Sequence, residues 1–210
     1  AAGLETPDFT RLALGLALCS DATVSDAGAV VGDPTEAALV VLAAKIGVDA
    51  EETRRAYPRI GEVPFDSDYK FMATVHRVRL EGQDRIVMLV KGGPDVVLAR
   101  CATVGAPMVS PAPIADGSQA IADANARLGA QGLRVLAFAA RILEESDLAT
   151  VESDAMSLVH DLTFVGLVGI IDPLRPSSKV AVDIAHKAGI DVRMITGDHA
   201  VTAEAIGKDL

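Results

Sequence analysis

The sequence predicts an α+β fold in which an antiparallel sheet is flanked by helices and is followed by a partial segment of α/β type. Three observations predict it. First, Phe71, Ala73, Val75 and Arg77 alternate with Met72, Thr74, His76 and Val78, the period of a strand with two unlike faces. The polar Glu81-Gly82-Gln83-Asp84 turn and the apolar run to Val90 then complete a hairpin. Second, the stretches before and after the hairpin carry helix caps and helical spacing. Third, the tail from Leu162 reads strand, helix, strand, helix, the order of a parallel α/β unit.

Taken in order, Thr6-Pro7-Asp8 predicts a helix start, with a capping hydroxyl, a first-turn proline and an acid at the positive end of the dipole; the helix runs to Cys19. Ser20 to Val31 is small and polar and predicts a loop. Asp33-Pro34-Thr35-Glu36 opens a second helix to about Ile46, with Glu36 three residues after the cap, where a capping box places it. Gly47 to Pro58 predicts a further helical piece and a turn. Val63 to Lys70 predicts a loop leading into the hairpin, and Pro94 begins a short helix to Arg100. Thr103 to Ala115 holds three prolines and predicts a surface loop or irregular strand. Asp116 to Ala130 is a helix with Ile121, Ala124 and Leu128 on one face and Gly132 at its C-terminal cap. Leu133 to Ala140 is a strand, Glu144 to Leu158 helix or loop, and Leu162 to Ile171 a long apolar strand. Pro176 to Ala188 is a helix ended by Gly189, Ile190 to Ile195 a buried strand, and Ala200 to Leu210 the start of another helix.

Composition limits the function. The 210 residues carry a formal charge of -10, with 29 acids against 19 Lys and Arg, which argues against a nucleic-acid surface. A single nucleotide remains compatible, because Mg²⁺ and local lysines neutralise phosphate. Aromatics make up 3% and there is no Trp, so the core is built from Ala, Val, Leu and Ile. Cys19 and Cys101 stand in no CxxC, and no HExxH or His-rich tract supports a metal site. No charge-free run reaches the roughly 18 apolar residues of a membrane span. Leu12–Leu18 is too short, and lacks the basic leader, for a signal peptide. There is no GxxxxGK[ST] phosphate loop, and no DxD triplet follows a strand.

The hairpin brings the two ends of its stretch together, placing Phe65 and Lys70 beside Lys91 and the side-chain-less Gly92-Gly93. An aromatic face can stack on a purine, and lysines reach phosphate as point charges. A core phenylalanine with two solvated lysines would use the same residue types. Glu36 likewise has two readings, a ligand contact or the closing of its own helix end.

The wording of these stretches adds to the pattern. PFDSDYKFM followed by VKGGPD resembles the nucleotide-binding domain of P-type cation-transporting ATPases, in particular the calcium-pump-like branch. GDPTEAAL (Gly32–Leu39), GLRVLAFA (Gly132–Ala139), IDPLRP (Ile171–Pro176) and MITGDH (Met194–His199) match in the same order, so the resemblance covers essentially the whole chain. It implies that Phe65 stacks on adenine, that Lys70, Lys91 and Gly92 line the pocket, and that Glu36 meets the adenine amino group. It further implies that Met72 and Leu136 form an apolar wall and that Arg134 reaches towards the phosphates. Asp172 and Arg175 match a hinge motif, and Thr196, Gly197 and Asp198 a loop near the transferred phosphate.

The resemblance implies ATP with Mg²⁺ as ligands and the rest of an ion pump as partner, on the cytoplasmic face of a membrane protein, with no nucleic acid and no membrane contact by this piece. It implies a nucleotide-binding domain over residues 1–169. Residues 170–210 would then begin the returning phosphorylation-domain segment, of haloacid-dehalogenase-like type. The aspartate that takes the phosphoryl group is expected before residue 1 and the Mg²⁺-holding segment after residue 210. On that basis no catalytic residue and no complete metal site lies in the chain, which is expected to bind ATP without forming an aspartyl-phosphate. Tyr69, Phe71 and Ser67 depart from the commonest wording, which leaves stacking intact and bears on the number of phosphate contacts. A nucleotide-sensing or interaction domain without catalysis is the alternative. The transported ion is not written in these residues, since ion ligands sit in membrane helices.

Overall fold

The computed structural model describes residues 9–25, 28–80, 82–105, 111–171, 176–195 and 200–209. The chain divides into two compact units, residues 1–117 with 137–166, and residues 118–136 with 167–210.

In the first unit, α1 (Thr10–Leu18), α2 (Pro34–Lys45) and α3 (Ala50–Ala56) form a helical layer around Ala13, Ala17, Val40, Ala43, Val48 and Ala50. These are small side chains, so the helices approach closely without aromatic filling. The helix start expected at Thr6-Pro7-Asp8 lies outside the described residues. Phe9 precedes α1 and makes no side-chain capping bond. The expected loop from Ser20 to Val31 contains a small ribbon, β1 (Thr23–Val24) paired antiparallel with β2 (Val30–Val31).

The hairpin forms as expected and is longer: β4 (Phe71–Leu80) pairs antiparallel with β5 (Gln83–Gly92) over the whole length of both. The segment expected as a loop before it is instead a strand, β3 (Arg59–Asp66), paired with β4. Its Gly61 and Pro64 hid it from a propensity reading. Gly61 is there because a Cβ would sit 2.2 Å from Val151 Cγ1.

After β5 come α4 (Pro94–Leu98), β6 (Cys101–Val104) and β7 (Ala112–Pro113). Next are α5 (Ile114–Gly129), β8 (Arg134–Leu143), a helical stretch including α6 (Leu148–Asp154), and β9 (Leu162–Ile170). The sheet order is β3-β4-β5-β8-β9-β6-β7. The sheet is not purely antiparallel, because β6 pairs parallel with β9. That pair needs a crossover between its strands, and α5, β8 and α6 supply it.

One face of the central strands carries Met72, Thr74 and His76 from β4, Leu89 and Lys91 from β5, and Phe138 from β8, in register. Helix α1 covers this face. Gly15 lets it settle against Phe138, whose ring would lie 2.4 Å from an added Cβ, and the Cys19 thiol donates to the Leu89 carbonyl at 3.6 Å. The opposite face carries Phe71, Ala73, Val75, Val90, Ala137 and Ala139, all buried.

His76 is buried within this core. Its Nδ1–H donates to the Tyr57 carbonyl at 2.9 Å, which leaves Nε2 buried without a partner. A proton added there would be charged and unsolvated, so burial, with Arg59 nearby, holds the imidazole pKa below 6.5. The unfolded chain then binds more protons just below its own pKa. Stability is full above about pH 6.5 and falls as pH drops towards the folded-state value. His76→Asn, which keeps a donor for Tyr57, is expected to flatten that slope. Denaturant midpoints measured from pH 7.5 to 5.5 check it, and an unchanged slope would assign the acid sensitivity elsewhere.

In the second unit, α5 ends in a Schellman motif: Gly132 N–H donates to Gly129 O, Leu133 N–H donates to Leu128 O, and Gly132 adopts φ 73°. Gly169 packs on Leu133 and Leu128. Helix α7 (Pro176–Lys187) ends at Gly189, φ 75°, and α8 (Ala200–Asp209) closes the described chain. The buried strand expected over Ile190–Ile195 is not formed. These residues are irregular, and Ile195 is 98% exposed. An apolar run becomes a strand only when neighbouring strands take up its N–H and C=O groups, and the described residues provide none here. The haloacid-dehalogenase-like character expected of this tail is therefore not displayed.

Candidate functional site

The residues expected at the site in the first unit stand on three adjacent strands, the turn between two of them and one helix. Lys91 on β5 pairs with Met72 on β4. Between Val63↔Ala73 and Asp66↔Phe71 the register slips by one residue, so Pro64 and Phe65 on β3 together face Met72. This is a β-bulge, which redirects a side chain out of the normal alternation. Pro64 suits it, having no N–H to place in the ladder. Phe65 is 64% exposed, whereas Phe71, Phe138 and Phe164 are buried.

The turn after the bulge is built by its own residues. Asp66 accepts from the Asp68 N–H at 2.7 Å through its carboxylate and from the Lys70 N–H at 2.8 Å through its carbonyl. Tyr69 donates its hydroxyl to the Pro64 carbonyl at 2.8 Å and so pins the bulge beside Phe65. Tyr69 and Phe71, two departures from the usual family wording, pack on each other with ring centroids 4.8 Å apart. Arg100 covers the Phe71 ring at 4.7 Å. Phe71 therefore belongs to the core, and Tyr69 supports the turn.

Lys70 is exposed and takes φ 57°, unusual for a residue with a side chain. Its carbonyl accepts from the Gly93 N–H at 3.1 Å. The β5 strand thus ends tightly against the Lys70 backbone, and Gly92 occupies the contact.

Glu36 does not close its own helix end. Its own helix is capped by Asp33, whose carboxylate accepts from the N–H groups of Thr35 and Glu36. Glu36 does not return to that cap as a capping box requires. Its Oε2 accepts from the Asp21 N–H at 2.7 Å and the Ala22 N–H at 3.1 Å, and its Oε1 accepts from Lys91 Nζ at 2.5 Å. Two amides left open beyond the C-terminus of α1, together with an ammonium, are stronger partners for a carboxylate than one cap amide. Lys91 Nζ also lies 3.0 Å from Met72 Sδ. Lys91 and Glu36 side chains are 8% and 15% exposed, so this is a nearly dry ion pair between β5 and the first turn of α2.

Arg134 and Leu136 open β8 and fall in the second unit, exposed and half-buried respectively. Asp172, Arg175, Thr196, Gly197 and Asp198 lie outside the described residues. No cluster of three metal-ligating side chains occurs among the described residues, and none of their helices is long and apolar enough to cross a membrane. Burial pushes the Cys19 thiol up and the Cys101 thiol up to about 12, so neither is a ready nucleophile. The sequence reading missed the parts played by Tyr69, Arg54 and the backbone of Asp21 and Ala22. Only Tyr69, as a departure from the family wording, carried any signal.

Comparison with known proteins follows the same lines. A calcium-transporting ATPase of Listeria monocytogenes is 37% identical over 193 residues, 92% of this chain and 21% of that protein. A cation-transporting ATPase of Synechocystis is 40% identical over 195 residues, 91% of this chain and 20% of that protein. A sodium/potassium exporting P-type ATPase of Schizosaccharomyces pombe is 36% identical over 208 residues, 96% of this chain and 19% of that protein. The chain spans about a fifth of the length of the curated relatives it matches. The family described as P-type ATPase, cytoplasmic domain N, matches residues 8–177. That match runs through every strand of the sheet and into α7, and the chain accordingly belongs to the P-type ATPase cytoplasmic domain N family.

Proposed function

We propose that this chain is the ATP-binding part of an ATP-driven cation pump, holding Mg²⁺-ATP and presenting its γ-phosphate to an aspartate outside residues 1–210. The observation that carries the reading is Phe65: an aromatic ring left 64% exposed on a bulge, two strands from an ammonium held by a carboxylate and a thioether. Two strand spacings are about 10 Å, a distance a nucleoside can span. In this reading Phe65 stacks on the base and Met72 floors the pocket. Glu36 accepts from the exocyclic amine, and Lys70 and Lys91 face the nucleotide. Gly92 keeps the approach open. Mg²⁺ supplies charge neutralisation on the phosphates.

Residues 1–169 would form the nucleotide-binding domain and 170–210 the start of the phosphorylation-domain segment.

Phe65→Ala tests the reading directly, because an exposed ring contributes little to the fold. ATP affinity measured by calorimetry is expected to fall by about 5- to 150-fold, the worth of one stacked base. The melting temperature should stay within about 2 °C of the parent. If Phe65→Ala binds ATP as the parent does, the stacking role is wrong.

A further inference from the structure

The segment Ser20-Asp21-Ala22 is held from two sides by two side chains. Glu36 takes its donors, the N–H groups of Asp21 and Ala22. Arg54, on α3, takes its acceptors: Nη2 donates to the Ser20 carbonyl at 2.7 Å and to the Ala22 carbonyl at 3.0 Å. Its Nε donates to the Ala17 carbonyl at 3.1 Å, in the last turn of α1. Nη1 is held by Glu51 at 3.0 Å, which fixes the plane of the guanidinium. Gly32 backs the segment, since a Cβ there would lie 2.9 Å from Ala22 Cα. Ser20 and Ala22 are buried, and the Arg54 side chain is 20% exposed.

We propose that Arg54 is a positioning residue that sets the nucleotide preference of the pocket, a role that rests on the ATP-binding reading above. The Glu36 carboxylate is held at Oε1 by Lys91 and at Oε2 by the Asp21 and Ala22 amides, and the two amides set the plane in which it faces a ligand. Those amides stay in place because Arg54 holds the carbonyls on either side of them. A fixed acceptor favours adenine, which offers an amino group where guanine offers a carbonyl oxygen. Arginine suits the task because its planar fork serves several carbonyls at once, which a lysine ammonium on a flexible stem does not.

The test compares Arg54→Met and Arg54→Lys with the parent chain and with Glu36→Gln. It uses calorimetric binding of Mg²⁺-ATP and Mg²⁺-GTP, and hydrogen exchange at the Asp21 and Ala22 amides. Arg54→Met is expected to speed exchange at both amides, to weaken ATP by about fivefold or more, and to leave GTP unchanged. In the Glu36→Gln background it should change ATP affinity by less than about twofold, because the two residues act through one path. Arg54→Lys should fall between parent and Arg54→Met, and it carries the test if Arg54→Met loses the parent circular dichroism. Parent-like exchange in the folded variants, an equal loss for both nucleotides, or effects that multiply with those of Glu36→Gln would each overturn the proposal. A parent chain that binds no ATP would refute the proposed function and the nucleotide role together, while the exchange data would still show whether Arg54 holds the segment.

Discussion

Lys91→Ala is expected to destabilise the first unit by about 3 kcal/mol, the low end of the range for breaking a buried pair from one side. The ammonium removed is 8% exposed and the carboxylate left behind is 15% exposed. Glu36 would keep two backbone donors, Asp21 and Ala22, which is why the low end applies. The charge would nonetheless sit in the first turn of α2 without the ammonium that neutralises it. Urea denaturation of parent and variant measures the loss, and a difference below about 1 kcal/mol would mean that water reaches Glu36 freely.

A paired variant separates charge from packing. Lys91→Met with Glu36→Gln removes both charges while the Gln carbonyl still accepts from the two amides, and it should recover most of the lost stability. The same argument disqualifies Lys91→Ala as a clean probe of nucleotide binding, since a weakened fold would itself lower affinity. Phe65, exposed on its bulge, does not share that difficulty.

Gly92→Ala is expected to cost about 3 kcal/mol, whereas Gly93→Ala should cost less than about 1 kcal/mol, the ordinary loss for alanine at a helix N-cap. A Cβ on Gly92 would lie 2.5 Å from the Lys70 carbonyl oxygen and 2.8 Å from Phe71 Cα, both backbone atoms. They cannot rotate away, so relief requires opening the Phe71↔Gly92 end of the β4–β5 ladder. The displaced segment includes Lys70, so ATP binding should weaken along with stability. A Cβ on Gly93 would meet the Asp95 carboxylate at 2.8 Å and Val96 Cγ2 at 3.6 Å, both side-chain atoms that can shift. Gly93 also has φ -56°, which alanine adopts without strain. Equal melting temperatures for the two alanine variants would show that the close approach at Gly92 is relieved by small shifts.

The hairpin was readable because its period of two and its polar turn are local signals. The same holds for α2, announced by Asp33 and Pro34, and for α5, whose Gly132 carries the positive φ its sequence position suggested. β3 escaped because Gly61 and Pro64 lower its strand propensity while serving contacts and a bulge that only the folded chain defines. The parallel pairing of β6 with β9 escaped because the residues it joins, Cys101 and Leu162, are far apart in sequence and carry no mutual signal. At Ile190–Ile195 the apolar residues were identified, yet a strand also needs partners for its backbone.

By itself the sequence determined the residue types that one hairpin brings together: an aromatic at 65, lysines at 70 and 91, glycines at 92 and 93; the carboxylate at 36 it placed only at the start of a helix. The tertiary structure decided what each is bonded to. Glu36 and Lys91 are 55 positions apart, so nothing local could say that the carboxylate leaves its helix end for that ammonium. Two adjacent glycines look alike in a sequence, and only the Lys70 backbone pressed against one of them makes it irreplaceable. Helix caps, turns and strand periods are set by near neighbours along the chain. Burial, counter-ions and close backbone approach depend on atoms that folding alone brings together.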